Sequence, residues 1–159
     1  MLKTSDWEIK FAESPAVTSK NLKARRSLRI LVAEDNLINQ MVVSRVLQNF
    51  GHQICLVKNG EEAIREFQRQ PYDVILMDIQ MPVVGGEEAT ARIRALENGS
   101  KVPIVALTAH AMAGDREYYL AAGMDGYVTK PIRKEELFEV LEKLNLPETI
   151  SQLGTQEIH

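Results

Sequence analysis

The sequence of 159 residues has one cysteine and three histidines, and this scarcity excludes two kinds of small domain. The single thiol, Cys55, cannot form an internal disulfide framework. A zinc site with recognisable ligand spacing is excluded too, because the histidines are scattered along the chain. They are His52, His110 and His159. We therefore expect a reducing, cytoplasmic environment.

Long apolar runs are also missing. No stretch approaches the roughly 18 to 20 residues needed to cross a bilayer, and the N-terminus, MLKTSDWEIK, lacks the apolar stretch of a secretion signal. The sequence thus predicts a soluble protein without direct membrane insertion. A larger parent chain with a membrane anchor is compatible with this prediction.

Basic residues are in the minority outside the N-terminal region. The formal net charge is -3, yet residues 1–27 hold six Lys/Arg against three Asp/Glu. The acidic remainder argues against nucleic acid as a direct ligand. Residues 12–27 have the composition of a linker. We accordingly divide the chain into an N-terminal tail or linker, 1–27, a folded domain, 28–146, and a C-terminal tail, 147–159.

From Arg29 onward, short apolar runs alternate with stretches of helical period. The predicted strands are RILVA, QICLV, DVILM, VPIVAL and GYV. The predicted helices are LINQMVVSRVLQNF, EEAIREFQRQ, GEEATARIRALE, AMAGDREYYLAA and RKEELFEVLEKL. Unbroken apolar runs are typical of parallel strands that are buried on both faces. Five such units predict an α/β fold, an open doubly wound five-stranded parallel sheet with five helices.

Polar residues follow four of these runs, either at once or one position later: Glu34 and Asp35, Asp78, Thr108 and Lys130. Open parallel sheets bind ligands at the carboxyl ends of their strands, so these side chains should meet there. Three carboxylates at one place repel each other and need a cation, for which Mg²⁺ is suited. Thr108 and Lys130 suit the oxygens of a phosphoryl group near that metal.

These motifs resemble the receiver domain of two-component response regulators over about residues 28–146. The elements that carry the resemblance are the pair Glu34-Asp35, LMDIQMP around Asp78, ALTA with Thr108 and YVTKP with Lys130. The resemblance implies a flavodoxin-like strand order of 2-1-3-4-5. It also implies a phosphorelay function in which Asp78 accepts a phosphoryl group from a phosphohistidine.

The same resemblance implies roles for the remaining residues. Mg²⁺ is held by Asp35, Asp78 and the backbone carbonyl of Gln80, with Glu34 acting through water. Lys130 contacts the phosphoryl oxygens. Such a domain is a switch with slow self-dephosphorylation and not a turnover enzyme.

Two further pairs of residues belong to this interpretation. Thr108 swings toward the phosphoryl group, and Tyr127 is the aromatic residue whose rotamer follows it. Gln80 and His110 stand two residues past Asp78 and Thr108, so we expect them to set the phosphoryl lifetime.

Three other classes of protein compete with this interpretation. A flavin binder is disfavoured because the carboxylates of AEDNLINQ would repel a flavin phosphate. An aspartyl-phosphate phosphatase commonly has a second Asp where Gln80 stands. A receiver that has lost its chemistry is disfavoured because competent residues fill all five positions.

The details of NLINQM, MDIQMP and ALTAHAM resemble receivers of hybrid sensor histidine kinases, although a free-standing regulator remains the alternative. The expected partners are a histidine kinase or a histidine phosphotransfer domain, docking near Ile38, Asn39 and Val42. We expect one of Ile38 and Val42 to face the core. A phosphorylation-dependent homodimer would use the face that includes Arg116.

Overall fold

The computed structural model describes residues 22–110, 114–144 and 146. Five parallel strands form one sheet in the order β2-β1-β3-β4-β5, so the predicted fold and strand order are confirmed. The strands are β1 (Arg29–Ala33), β2 (Gln53–Val57), β3 (Val74–Asp78), β4 (Ile104–Thr108) and β5 (Gly126–Thr129). Strands β3 and β4 each end one residue later than predicted, so Asp78 and Thr108 are the last residues of these strands.

Helices connect the strands on both faces of the sheet. They are α1 (Leu37–Phe50), α2 (Gly60–Arg69), α3 (Gly86–Arg94), α4 (Asp115–Ala121) and α5 (Lys134–Lys143). Helix α1 begins where the Asn36 side chain accepts a hydrogen bond from Asn39 N, and it ends at Gly51 with φ 104°. Helix α3 ends at Arg94, before the predicted Glu97. Residues 111–113 of the predicted fourth helix lie outside the described residues.

The core has two layers because successive strand residues point to opposite faces of the sheet. Ile30 and Val32 of β1 pack with helices α1 and α5, whereas Leu31 and Ala33 pack with helices α2, α3 and α4. Strands β3 and β4 are buried throughout. This double burial accounts for their unbroken apolar sequence.

The prediction that every strand is buried on both faces is wrong for the edge strands. Leu56 of β2 is 39% exposed, and Cys55 beside it is half-buried. In β5 only Val128 is buried. An edge strand has a neighbour on one side only, so the helices that cover the sheet protect it less completely.

Strand register brings the predicted site residues together. Ala33 of β1 lies opposite Met77 of β3, so the residues that follow, Glu34 and Asp78, are neighbours at the carboxyl end of the sheet. Thr108 of β4 lies opposite Thr129 of β5, so Lys130, the next residue after Thr129, also lies at the carboxyl end of the sheet. Lys130 N donates to Thr108 O at 2.8 Å and fixes this position.

The residues just before β1 are attached to the amino end of the same sheet. Ala24 N donates to Phe50 O at 3.0 Å, Lys23 Nζ donates to Asn49 O at 3.0 Å, and Ser27 Oγ donates to Gly51 O at 2.9 Å. Leu22 packs against the core layer formed with α1 and α5. Residues 22–27 of the predicted linker therefore contact the domain; residues 1–21 lie outside the described part.

None of the helices in the described ranges has both the length and the apolar character required to span a lipid bilayer.

Candidate functional site

Three carboxylates meet at the carboxyl end of the sheet. Glu34 and Asp35 follow β1, and Asp78 ends β3; one oxygen from each lies within 4.8 Å of the others. Glu34 and Asp78 are buried, whereas Asp35 is exposed. Grouped carboxylate oxygens are the ligands that a hard divalent cation prefers.

Lys130 is the cation that this chain itself supplies. Its Nζ lies 3.0 Å from Asp78 Oδ2 and 3.0 Å from Glu34 Oε1, with 20% of the side chain exposed. One ammonium against three carboxylates leaves an excess of negative charge. The donor set and this excess both fit a divalent metal ion.

The polar residues at the start of α1 orient Glu34. Its Oε2 accepts hydrogen bonds from Asn36 N at 3.1 Å and from Asn39 Nδ2 at 3.3 Å. Gln40 Nε2 donates to the Glu34 backbone carbonyl at 2.6 Å. The other carboxylate oxygen, Oε1, is buried and accepts no well-directed hydrogen bond from the described residues besides its ionic contact with Lys130. An oxygen left in this state retains capacity for a metal-bound water.

The crowding of charge changes the acidity of Asp78. Burial raises the pKa of Asp78 to about 6 from its ordinary 3.8, and the Glu34 carboxylate acts in the same direction, while Lys130 opposes both. Burial disfavours the charge on Lys130, but its hydrogen bonds to Asp78 and Glu34 outweigh this effect, so the pKa of Lys130 is raised. The site therefore holds a charged lysine and a carboxylate whose ionisation is costly.

The loop after Asp78 folds back tightly against it. Gln80 N donates to Asp78 Oδ1 at 3.2 Å, and the exposed Gln80 side chain lines the cleft. A Cβ atom at Gly86 would lie 2.2 Å from the Asp78 carbonyl oxygen, so only glycine allows α3 to begin here. Val83 in this loop has φ 67°, a left-handed conformation that is strained for a β-branched residue.

Thr108 has a saturated hydroxyl group. Its Oγ1 accepts hydrogen bonds from His110 N at 3.1 Å and from Tyr119 Oη at 2.8 Å, and it donates to His110 O at 3.2 Å. All three partners lie on the β4–α4 connection or on α4. The exposed His110 side chain also lines the cleft.

The cleft thus brings together seven of the eight site residues that the sequence predicted. They are Glu34, Asp35, Asp78, Gln80, Thr108, His110 and Lys130. The eighth, Tyr127, is half-buried and lines a neighbouring groove beside Arg116 and Val140. Its ring centre lies 5.7 Å from that of Tyr119.

Sequence reasoning missed Tyr119, which is 6% exposed and reaches both the cleft and the neighbouring groove. The adjacent pair Tyr118-Tyr119 was the available signal, since a helix that packs on a sheet buries large side chains on one face. The sequence gives no means of choosing between them, because this helix has only seven residues.

The prediction that Ile38 or Val42 faces the core is wrong for both. The inward stripe of α1 is formed by Gln40, Val43, Leu47 and Phe50, at spacings of three and four residues. Ile38 and Val42 lie on the opposite side and are 69% and 40% exposed. Together with Leu37 and Met41 they form an exposed surface that we call the α1 apolar patch.

The fold and site define a response regulator receiver domain, and the chain belongs to that family: residues 30–142 match it. The chain is 46% identical over 120 residues to hybrid signal transduction histidine kinase I of Dictyostelium discoideum. That match covers 71% of this chain and only 7% of the kinase, so the chain corresponds to a small part of this relative.

Two solved structures resemble the chain closely. One is the receiver domain of the sensor histidine kinase PA1611 from Pseudomonas aeruginosa PAO1, with a magnesium ion coordinated in its active-site cleft; it is 47% identical, with a TM-score of 0.68, over 74% of this chain and 97% of that one. The other is the Saccharomyces cerevisiae complex of the histidine phosphotransfer protein Ypd1 with the receiver domain of Ssk1. Its identity is 36% and its TM-score 0.66, over 72% of this chain and 86% of that one.

Proposed function

We propose that this receiver domain accepts a phosphoryl group on Asp78 from a phosphohistidine in a two-component phosphorelay. The observation that carries the proposal is the position of Lys130 Nζ, 3.0 Å from both Asp78 and Glu34, in a cleft that is also lined by a third carboxylate, Asp35. A phosphoryl acceptor needs a nucleophile, a cation site and a charge clamp at one point, and this cleft has residues for all three.

In the proposed reaction, an Asp78 carboxylate oxygen attacks phosphorus while the bond from phosphorus to the histidine nitrogen breaks. Lys130 neutralises charge on the transferred oxygens, and Gln80 N orients the carboxylate. Asp35, Asp78 and the Gln80 carbonyl would hold Mg²⁺, with Glu34 acting through water. When bound, the ion supplies charge neutralisation for the transferred group.

The acidity of Asp78 is compatible with this role. The carboxylate must be ionised to attack, and its pKa of about 6 leaves it mainly ionised at neutral pH. Burial nevertheless disfavours the charge on Asp78. Neutralisation of this charge by Lys130 and a metal ion therefore favours the ionised carboxylate, which is the reactive form.

The α1 apolar patch is the surface that we assign to the histidine-containing partner. Leu37, Ile38 and Met41 are each at least 60% exposed, and α1 begins immediately after the Glu34-Asp35 pair. A helical phosphotransfer domain docked there would carry its histidine to Asp78. The resemblance to a receiver solved together with a phosphotransfer protein supports this kind of partner.

The proposal extends to the regulation of the site. Thr108 moves toward the phosphoryl group, Tyr127 follows it, and a phosphorylation-dependent homodimer would form on the face that includes Arg116. Gln80 and His110 border the path of attacking water and set the rate of slow self-dephosphorylation. We assign the domain to residues 28–146, within a cytoplasmic hybrid histidine kinase or associated with one.

Phosphorylation by a small acyl-phosphate donor tests the assignment directly. We expect Mg²⁺-dependent labelling of the wild-type protein, detected by intact mass, and none in Asp78→Asn. Asp73→Asn is the matched control, because Asp73 lies at the other end of β3 and accepts a hydrogen bond from Arg29 N. Labelling that survives in Asp78→Asn, or in excess chelator, would refute the proposal.

A second comparison tests the docking surface. Ile38→Asp should slow transfer from a histidine phosphodonor at least tenfold and leave labelling by the small donor unchanged. Gln48→Asp, at the exposed far end of α1, should affect neither rate. Equal slowing of both donors by Ile38→Asp would show that the patch is not the docking site.

A further inference from the structure

Tyr119 occupies a position that links the two cavities on this side of the molecule. Its side chain lines the cleft that contains Asp78, and it also lines the groove formed by α4, β5 and α5, with Tyr127 and Val140. Its hydroxyl donates a hydrogen bond of 2.8 Å to Thr108 Oγ1. The ring packs 5.7 Å from Tyr127.

With the hydrogen bond from Tyr119, the Thr108 hydroxyl has no free donor or acceptor position. A hydroxyl offers one donor and two acceptor positions, and His110 N, His110 O and Tyr119 Oη take all three. None of these partners is Asp78 or Lys130. Thr108 therefore cannot bond to a phosphoryl oxygen without giving up its donation to His110 O, and a reorientation of Oγ1 would also break the Tyr119 contact.

Breaking this contact acts on α4, a helix of seven residues that Tyr119 anchors to the core as its one buried residue. Tyr118, the preceding residue, donates instead to Glu87 of α3 and is 54% exposed.

We propose that Tyr119 is a positioning residue that holds the Thr108 hydroxyl away from the acceptor site until phosphorylation draws it over. The inference rests on the proposed function and deepens it: the state of Asp78 is passed through Thr108 to Tyr119 on α4, in addition to Tyr127 on β5. Release of Tyr119 changes the wall of the groove at α4, β5 and α5.

Removal of the single hydroxyl in Tyr119→Phe tests the proposal. The bond favours the unphosphorylated arrangement, so we expect the variant to bind the phosphoryl mimic beryllofluoride, in the presence of Mg²⁺, about three- to tenfold more tightly than wild type. Tyr118→Phe, which removes a hydroxyl from the neighbouring residue, should bind as wild type does. Unchanged or weaker binding by Tyr119→Phe, or an equal gain in Tyr118→Phe, would overturn the proposal.

A double-mutant cycle shows whether the effect passes through Thr108. In a Thr108→Val background, Tyr119→Phe should have no further effect on beryllofluoride affinity, because the partner hydroxyl is already gone. An undiminished gain in that background would mean that Tyr119 acts by another route.

A measurement without any phosphoryl mimic separates this proposal from the proposed function. Methyl NMR of Thr108 should report one χ1 rotamer in wild type and in Tyr118→Phe, and averaging between rotamers in Tyr119→Phe. Failure of wild type to bind beryllofluoride would count against the proposed function alone. A Thr108 rotamer that is unaffected by Tyr119→Phe would count against the role of Tyr119, whatever Asp78 does.

Discussion

The two ends of the sheet use carboxylates in opposite ways. At the amino end, a side chain just before a strand accepts a backbone N–H from the neighbouring strand. Asp73 accepts from Arg29 N at 2.8 Å and Asp125 from Ile104 N at 2.9 Å. At the carboxyl end, Glu34 and Asp78 lie buried beside one shared lysine. The carboxylates at the amino end therefore satisfy backbone donors, whereas those at the carboxyl end concentrate unfavourable charge.

Arg94 gives the amino end its most extensive set of bonds and should produce the largest loss of stability. Its guanidinium donates to the carbonyls of Gly99, Val102 and Gly123 and to the Asp125 carboxylate, at 2.6 to 2.9 Å. We expect Arg94→Met to lower the free energy of unfolding by about 3 kcal/mol, measured by urea denaturation, because three part-buried carbonyls lose their donor together.

Arg92→Met is the matched control for Arg94→Met. Arg92 is 44% exposed and forms ion pairs with Glu61 and Glu88 on the surface. Such pairs contribute about 0 to 1 kcal/mol. An equal loss in both variants would contradict the special role of Arg94.

Asp78→Asn should have the opposite effect on stability at the carboxyl end. A pKa of about 6 in the fold against an ordinary 3.8 means that the folded protein binds the proton more tightly. Stability without metal therefore falls as the pH rises from about 4 to 6. We expect Asp78→Asn to be about 2 kcal/mol more stable than wild type at pH 7.5 in chelator, measured by urea denaturation.

Two comparisons check that interpretation of Asp78. The advantage of Asp78→Asn should become small at pH 4, where Asp78 of the folded wild type is protonated and thus uncharged, like Asn. Excess Mg²⁺ should stabilise wild type more than the variant. A variant that is less stable than wild type at pH 7.5 would show that the Lys130 contact outweighs the crowding of charge.

His52 should give the amino end a pH dependence of opposite sign. Burial lowers the pKa of His52, although Glu142 and Asp73 oppose this, and its Nδ1 accepts a hydrogen bond from Leu28 N at 3.0 Å. Protonation removes that acceptor. Below the ordinary value of 6.5, stability should fall by about 1 kcal/mol as the pH decreases.

The measurement for His52 uses the Asp78→Asn background, in which the opposing titration is absent. His52→Asn retains an acceptor oxygen without a titrating group, so its free energy of unfolding should stay constant where that of the parent falls. A parallel fall in both proteins would assign the pH dependence to another group.

Val83 should give the smallest effect. It is 79% exposed with φ 67°, so its side chain contributes little packing to offset the strain. Asn tolerates this conformation better, and Val83→Asn should raise the free energy of unfolding by about 0.5 to 1 kcal/mol. Val84→Asn, at a buried neighbour, should be destabilising. A loss in Val83→Asn would show that the exposed methyl groups make a necessary contact.

The sequence predicted the order of elements well because continuous apolar runs and helical spacing are local properties. Strands β3 and β4 are buried on both faces, and an unbroken apolar run is the local pattern that predicts this. The phase of α1 was less accessible: apolar residues occur around the whole helix, so composition alone does not separate Val43, in the core, from Val42, in the patch.

The candidate site shows a similar division. Glu34, Asp78 and Lys130 could be found because strand ends of a parallel sheet converge. The contact between Tyr119 and Thr108 joins residues eleven positions apart, one on a strand and one on a helix, and no periodic pattern reports such a distance. The hydrogen bonds of residues 23–27 to the end of α1 likewise join distant parts of the sequence. The linker-like composition of these residues does not indicate that they are bound to the domain.

Those bonds at residues 23–27 also set the direction from which the polypeptide reaches the domain. Arg25 pairs with Glu142 of α5, and Ala24 is held by Phe50, so the chain is fixed at the amino end of the sheet before β1 begins. A strand of five residues then separates this point from Glu34, about 16 Å of rise. The polypeptide therefore enters the domain at the end of the sheet opposite to the one that holds Asp78.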